Sequence, residues 1–392
     1  MSALDDECEY RDFALLVFQQ MRSAGIGDAS YDPDEFAIRY GDGVIQLQNL
    51  YRETRGLDQS ELRDELARIV PALVAGPEAP GSWGEVRPLL RPMLRAATYL
   101  TDDAPRLRRP LFPFIDEIVA IDLPEVVLFP ARSILAEWGV TEEEVFDAAR
   151  ENIAEIVAPM EISDDGVAKI VSQERDFLPS WLLAEGWLAS ATRTFRHTPV
   201  VFVPDQQSLL VVPGDPELVA SVYEVVEQEY REATRPLSPQ GYTLDADGGV
   251  VAVDQLATAH RAPAQRARAL LAGAEYDIQR EWLAQKYEDE LDPCYVSSLM
   301  VVEQGDGLRT VTVWGEDVDC ALPEADALVF ACDDGRSIQV PFRTAVDITG
   351  ITPIPGLRPP RYRTNGWPLP EVLERLAGAT GSVELPTAGQ RR

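Results

Sequence analysis

Apolar residues recur at helical spacing in several segments of the chain. Their positions predict helices over residues 11–24, 60–73, 141–156, 181–191, 217–232, 262–291 and 368–377. Two starts carry capping signals. Asp58 or Ser60 is suited to begin the second helix, and Thr141 with Glu144 three residues later forms a capping box for the third.

Alternating apolar residues predict strands between these helices. The opening pair, over 35–51, surrounds Gly41-Asp42-Gly43 and reads as a β-hairpin. Further predicted strands lie at 200–203, 209–212, 244–253, 295–302, 308–314, 327–332, 337–342 and 346–351. Helices and strands interleave without a regular repeat, and neither a dinucleotide-binding glycine motif nor a P-loop is present. The pattern predicts an α+β fold with mixed, largely antiparallel sheets, packed helices and a second β-rich domain.

The length of 392 residues favours at least two domains. We predict an α+β domain over 1–260, with an internal division near 76–110 as a further option. A helix followed by a β-rich domain occupies 262–378, and a polar, flexible tail occupies 379–392.

The chain is strongly acidic, with a formal net charge of −31 at pH 7. Lys169 and Lys286 are the only lysines, which is typical of a GC-rich genome or of adaptation to high salt. A field of this sign repels phosphate backbones and anionic membranes, so direct nucleic-acid binding and membrane binding are disfavoured. The acidic surface serves solubility, or it attracts a basic partner, or it mimics DNA. The N-terminus lacks the basic start and apolar run of a signal peptide, and the sequence has no membrane-length apolar run, which together predict a cytoplasmic protein.

The sequence gives little support for a metal site or for a catalytic nucleophile. The four cysteines are far apart and are interpreted as buried free thiols. His197 and His260, the only histidines, are interpreted as polar residues at helix ends, since neither lies in a recognised nucleophile motif. The segment 245–248 resembles the start of a calcium loop but lacks its closing glutamate, so we interpret it as a hairpin turn. We predict no metal, no cofactor and no catalytic residues, which favours a non-enzymatic protein without deciding the question.

A row of arginines is the most prominent polar feature. Arg87, Arg91 and Arg95 would share one face of a helix, although Pro88 and Pro92 argue against a long regular helix there. Guanidinium groups bind phosphates and carboxylates in a bidentate way, so these three residues are candidate binding residues for an anionic ligand. The alternative is that they and the following arginines, Arg106, Arg108 and Arg109, form ion pairs within the protein.

Several short motifs occur in a characteristic order. They are the hairpin with Phe36 and 49–51, Trp83 with the arginine-proline segment 87–95, Leu135 with 138–141 and 152–153, 186–190, and 203–205 before an apolar strand. In this order they resemble the YtpQ-like family of uncharacterised bacterial proteins over about residues 10–255. The resemblance implies a cytosolic bacterial protein with an α+β fold, and it supplies no catalytic residues. The part beyond about 262 is an extension relative to simpler members.

Three functions are compatible with these observations. The first is a macromolecular interaction protein whose partner is another protein. The alternative is a binder of, or an enzyme acting on, a small anionic ligand held by the arginines. The third is an acidic decoy of a DNA-binding protein. The sequence does not decide the oligomeric state.

Overall fold

A computed structural model gives the structure of this protein for residues 3–27, 29–33, 36–40, 43–54, 57–74, 81–99, 105–123, 127–160, 167–171, 177–195, 197–256, 259–288, 294–304 and 307–379. The helices are α1 Ala3–Ser23, α2 Leu47–Thr54, α3 Gln59–Val74, α4 Trp83–Val86, α5 Ile134–Trp138, α6 Glu142–Ile153, α7 Trp187–Phe195, α8 Pro216–Glu232, α9 Arg261–Glu288, α10 Phe342–Thr349 and α11 Pro370–Gly378. Short 3₁₀ turns lie at Arg87–Leu89, Leu178–Leu183 and Val253–Gln255.

The strands complete the element order. They are β1 Ser30–Asp32, β2 Ala37–Tyr40, β3 Gly43–Gln46, β4 Leu90–Ala96, β5 Arg108–Phe112, β6 Ile115–Asp122, β7 Val127–Leu128, β8 Ala168–Val171, β9 Pro199–Asp205, β10 Ser208–Pro213, β11 Pro236–Leu244, β12 Val250–Ala252, β13 Tyr295–Val296, β14 Met300–Gln304, β15 Gly307–Gly315, β16 Cys320–Pro323, β17 Ala327–Ala331, β18 Ser337–Pro341, β19 Thr352–Pro353 and β20 Arg361–Arg363. The predicted α+β class is confirmed, with helices packed on mixed sheets that are mostly antiparallel.

The contacts divide the chain into two compact units. The first contains residues 1–90 and 120–140, and the second contains residues 91–119 and 141–392. The predicted boundaries at 260/262 and 378/379 remain predictions, and most of the predicted tail, 380–392, lies outside the described residues.

The first unit is built around an aromatic and aliphatic core. Helices α1 and α3 pack together, and the hairpin β2–β3 with β1 forms a three-stranded antiparallel sheet. Phe13, Phe36 and Tyr51 pack ring against ring in the core, which also takes in Met21 and Ile38. The predicted hairpin is thus confirmed for residues 37–40 and 43–46, while its turn residues 41 and 42 lie outside the described part of the chain.

In the second unit, three sheets frame the long helix α9. Strands follow the order β12-β11-β9-β10-β8 in one sheet, β14-β15-β17-β18 in another and β13-β16-β20-β19 in a third. Helix α9 packs on β11, β15, β13 and β14. Strands β4, β6 and β5 lie side by side in a further sheet.

Two capping predictions are confirmed. Asp58 Oδ1 accepts hydrogen bonds from the amides of Ser60 and Glu61 at 2.8 and 2.9 Å, so Asp58 caps α3. At α6, the Glu144 amide donates to Thr141 Oγ1 while the Glu144 carboxylate accepts from the Thr141 amide, which is the predicted capping box.

Two predicted strand segments are helical instead. Residues 47–51 continue into α2 because Leu47 and Leu50, three positions apart, both lie in the core of the first unit. Residues 346–349 belong to α10, whose buried Phe342 and Ala345 also lie three positions apart. Gly350 ends that helix with φ 74°, a left-handed cap, so the period-two spacing of Val346 and Ile348 was misleading.

The arginine segment also departs from the helical arrangement. Helix α4 ends at Val86, a 3₁₀ turn holds Arg87–Leu89, and Leu90–Ala96 form strand β4. Pro92 cannot donate the backbone hydrogen bond that a helix needs, and the proline before Leu89 likewise limits the helix to short turns. The predicted helix over 181–191 is similarly interrupted, since Gly186 with φ 71° stands between a 3₁₀ turn and α7.

Among the described residues, no helix is both long enough and apolar enough to cross a membrane.

Candidate functional site

The three candidate arginines occupy different environments. Arg87 is exposed in the 3₁₀ turn, Arg91 is half-buried in β4, and Arg95 is fully buried in the same strand. Arg91 and Arg95 lie on one face of β4, because side chains alternate along a strand. Arg87 belongs to the first unit and the other two to the second.

Arg95 points to an internal role. Its Nη1 donates to the backbone oxygen of Leu94 at 2.9 Å, and its guanidinium carbon lies 5.4 Å from the ring centroid of Tyr99. A guanidinium with no exposed surface cannot meet a ligand that arrives from solvent without a rearrangement of the protein. Ligand binding by this set therefore remains a prediction that depends most on Arg87 and Arg91.

Glu117 on β6 is a buried carboxylate that accepts hydrogen bonds from two arginines. Arg150 of α6 donates from Nε to Oε1 at 2.8 Å and from Nη2 to Oε2 at 2.7 Å. Arg109 lies opposite Glu117 on β5 and donates from Nε to Oε2 at 2.8 Å. The hydrogen bond to Glu117 is the main reason that the pKa of Arg150 is raised above its ordinary value. The guanidinium of Arg109 also lies 4.0 Å from the Phe146 ring centroid. Because Arg109 binds Glu117, this arginine forms the internal ion pair that the sequence offered as the alternative.

The neighbouring residue Asp116 lies on the other face of β6. Consecutive side chains point to opposite sides of a strand, so Asp116 and Glu117 cannot share a partner. Arg358 binds Asp116 in a bidentate way, through Nε at 2.8 Å and 3.0 Å and through Nη2 at 2.7 Å. Burial raises the pKa of Asp116, and the charge and hydrogen bonds of Arg358 oppose that rise.

A third buried carboxyl group lies on α9. Glu275 is 3% exposed, and its Oε2 accepts hydrogen bonds from the Thr98 amide at 3.1 Å and the Thr98 hydroxyl at 2.9 Å. Burial raises the pKa of Glu275 to about 7, and the negative charge of Asp116 adds to the effect. The hydrogen bonds from Thr98 act in the opposite direction. A carboxyl group with a pKa of about 7 titrates near neutral pH, as many general acids and bases do.

The half-buried Tyr230 lies near enough to Glu275 for its pKa to respond to that carboxyl group. Desolvation is the main cause that raises the pKa of Tyr230, and the charge of Glu275 adds to it. Tyr242 is fully buried, and its hydroxyl lies 2.8 Å from the Ser238 hydroxyl. The tyrosines thus remain neutral across the range in which Glu275 titrates. Structural networks produce such groups as well as catalytic sites do.

Arg361 forms the most extensive buried network. Its Nε donates to Gln279 Oε1 at 2.6 Å, and Nη2 donates to the Tyr276 backbone oxygen at 3.0 Å, both on α9. Its Nη1 donates to the backbone oxygens of Ser297 at 2.7 Å and Ala321 at 3.0 Å. All four acceptors are neutral, and burial without a bound carboxylate lowers the pKa of Arg361 to about 10. Arg361 lies on β20 and thus joins α9 to Ala321 of β16 and to Ser297, which follows β13.

The residues tested for metal and nucleophile chemistry are dispersed. Across the described ranges, no group of three or more His, Cys, Asp or Glu side chains is placed to hold a metal ion. Cys294 and Cys320 are buried free thiols as predicted, whereas Cys332 is half-buried. His197 is exposed, and the buried His260 directly precedes α9, where burial lowers its pKa. In the loop at 245–249, Asp245 Oδ1 accepts from the amides of Asp247 and Gly249, which fits the predicted hairpin turn.

The sequence contained a signal for the buried carboxylates. Asp116 and Glu117 interrupt an apolar run, and acidic residues are almost never fully buried unless they are paired. Their main partners, Arg358 and Arg150, lie 242 and 33 positions away along the chain. Glu275 gave no comparable signal, because a glutamate in a long helix is an ordinary exposed residue.

Comparison with known proteins gave no assignment: no family model, no curated protein and no solved structure matches this chain.

Proposed function

We propose that this chain is a non-enzymatic interaction protein whose partner is another protein. The observation that carries the proposal is the set of contacts that its arginines make within the protein, together with its net charge. Arg95, Arg109 and Arg361 are engaged with oxygens or aromatic rings of the protein itself. The formal net charge of −31, which already counts these arginines, gives a field that attracts basic surfaces and repels phosphate backbones.

A binding experiment with the full chain tests this proposal. The tagged protein is used to capture partners at about 50 mM and about 150 mM salt, since exposed charges are screened progressively over this range. An unrelated protein of similar size and net charge serves as the control for capture by charge alone. We expect a partner that the control does not retain and that binds the purified chain in a fixed ratio. Repeated capture of nothing beyond the control at both salt concentrations would refute the proposal.

The identity of a captured partner separates this proposal from the acidic decoy. A decoy would bind a DNA-binding protein in competition with DNA, and its affinity would fall steeply with salt. A partner that binds DNA and the chain simultaneously would exclude the decoy function and leave the interaction function intact. The YtpQ-like resemblance and the cytoplasmic location remain predictions beside this proposal.

Binding of a small anion is the second candidate, and the accessibility of Arg87 and Arg91 favours it. Both keep part of their surface exposed within five positions of one another. A thermal-shift screen with phosphorylated and carboxylate metabolites tests this idea. At a hundredfold excess of ligand over Kd, stabilisation amounts to about 2.7 kcal/mol. A shift that persists unchanged in Arg91→Ala and Arg87→Ala would exclude these arginines as the site.

A further inference from the structure

One edge of the sheet β13-β16-β20-β19 is formed where three adjacent strands, β13, β16 and β20, begin or end. β13 and β16 are parallel, with Tyr295 opposite Cys320, so both strands begin at this edge. β20 is antiparallel to β16 and ends there, since the Thr364 amide and the Cys320 oxygen are hydrogen bonded at 3.0 Å. Asp319 joins the segments: its backbone oxygen accepts from the Tyr295 amide at 3.0 Å, and its Oδ1 accepts from the Gly366 amide at 3.0 Å.

Three large apolar side chains are exposed in the segments that Asp319 joins. Tyr295 at the start of β13 is 63% exposed, Val318 before β16 is 41% exposed, and Leu369 after β20 is 71% exposed. We call these three residues the apolar rim. The adjacent Trp367 instead packs into the core, 6.0 Å from the rings of both Trp314 and Phe330. The segment thus already has a side chain that anchors it to the core, and the rim residues are additional apolar surface. Exposed apolar side chains in joined segments are candidates for a contact surface.

The charges beside the rim are mostly negative. Asp317, Asp319 and Glu371 are exposed in the same segments, and Arg363 at the end of β20 is an exposed arginine there, whereas Arg361 of the same strand is buried. A second copy of this chain would bring the same acidic residues against these ones, and it would also carry its own net charge of −31. Charge complementarity therefore favours a basic occupant over self-association.

We propose that the apolar rim binds a short segment of a partner protein in which large apolar side chains are flanked by lysines or arginines. The apolar side chains of that segment cover Tyr295, Val318 and Leu369, and its basic residues face Asp317 and Glu371. In such an interface the apolar contacts supply most of the affinity, and the charges supply orientation and selectivity. This inference rests on the proposed interaction function and identifies its contact surface and the chemistry of its partner.

A labelled synthetic peptide with two leucines and a tryptophan flanked by lysines is the probe. Its binding to the full chain is followed by fluorescence anisotropy, beside one peptide with glutamate in place of lysine and one with serine in place of the apolar residues. We expect the first peptide to bind at least tenfold more tightly than either control. We expect the double variant Tyr295→Ser/Leu369→Ser to lose at least tenfold in affinity.

Matched variants make the result specific to the rim. Val171→Ser removes a side chain that is 60% exposed on a different sheet, and we expect it to change the affinity by less than twofold. Glu371→Lys leaves the rim intact and reverses one neighbouring charge, so it should weaken binding even if the double variant fails to fold. Equal binding by wild type and the double variant, or no binding of the basic peptide by wild type, would overturn the inference. So would a wild-type dimer in sedimentation that the double variant abolishes, since a second copy would then be the occupant.

The outcome is separable from that of the proposed function. A protein partner that is captured equally by wild type and by the double variant would leave the interaction function standing and refute the apolar rim as its site. Capture of no partner by any form of the chain would refute the interaction function itself.

Discussion

Replacement of Glu275 by glutamine should make the protein more stable at neutral and alkaline pH and leave its stability nearly unchanged in acid. The carboxyl group is buried, and its pKa is raised from 4.5 to about 7. The folded protein therefore holds the proton more tightly than the unfolded chain does. For a group of this kind, the favourable contribution is fully present below pH 4.5 and is lost as the pH rises through 7.

The size of the effect follows from the same values. One pKa unit corresponds to about 1.4 kcal/mol, so the difference between 4.5 and about 7 corresponds to about 3 kcal/mol once both states are ionised. Glutamine avoids this penalty because it carries no charge, and its amide oxygen can still accept the hydrogen bonds from Thr98. We expect the free energy of unfolding of Glu275→Gln, minus that of wild type, to rise by about 3 kcal/mol between pH 4.5 and pH 8.

Equilibrium unfolding in urea, followed by circular dichroism and tryptophan fluorescence, measures this difference at constant ionic strength. The difference between variant and wild type cancels the titration of groups that the substitution does not touch. Glu281→Gln is the matched control, because it removes an exposed carboxylate from the same helix. Thr98→Val removes a hydrogen bond that lowers the pKa of Glu275, so it should shift the transition to higher pH. A difference for Glu275→Gln that stays flat from pH 4.5 to pH 8, or that falls, would refute the reasoning.

Five further substitutions, in three tests, probe other parts of the structure, each through the denaturant midpoint at unchanged slope. Arg361→Lys should destabilise the protein by about 2–4 kcal/mol, because an ammonium group cannot reproduce four hydrogen bonds from a planar fork; a loss below 0.5 kcal/mol would show that the network is dispensable. Gly214→Ala should cost about 1–3 kcal/mol, since a Cβ there overlaps the backbone oxygen of Thr198, whereas Gly84→Ala meets no atom within 4 Å and should be neutral or slightly stabilising. Thr141→Ala should cost about 1 kcal/mol through loss of the α6 cap and Thr141→Ser much less, and equal losses would contradict the capping role.

Local signals in the sequence predicted much of the secondary structure. Thr141 and Glu144 are three positions apart, so the cap they form depends on no distant residue. The same is true of the turn at Asp245, where the side chain binds amides two and four positions away. The errors at 47–51 and 346–349 have another cause. Short apolar segments fit either period, and the core they join decides between strand and helix.

The buried charges could not be predicted in the same way. Arg95 is separated from Arg91 by four positions, which suits one face of a helix and equally one face of a strand. The sequence therefore could not show that Arg95 would be fully buried in β4 while Arg87 stayed exposed. Similarly, the pKa of Glu275 depends on Thr98, 177 positions away, and on Asp116. Such properties arise from contacts between distant segments and appear only in the folded structure.

The chain is acidic because it contains 66 acidic residues against 35 lysines and arginines. Among the described residues, the fully buried arginines Arg95 and Arg361 are matched in number by the fully buried acids Asp116 and Glu117. The fully buried charges of the described residues thus do not offset the formal net charge of −31. A surface of this kind repels its own copies and attracts basic surfaces over about 10 Å at 0.1 M salt. Neutralisation of part of this charge would therefore favour complex formation, and this is the physical reason to expect a basic protein partner.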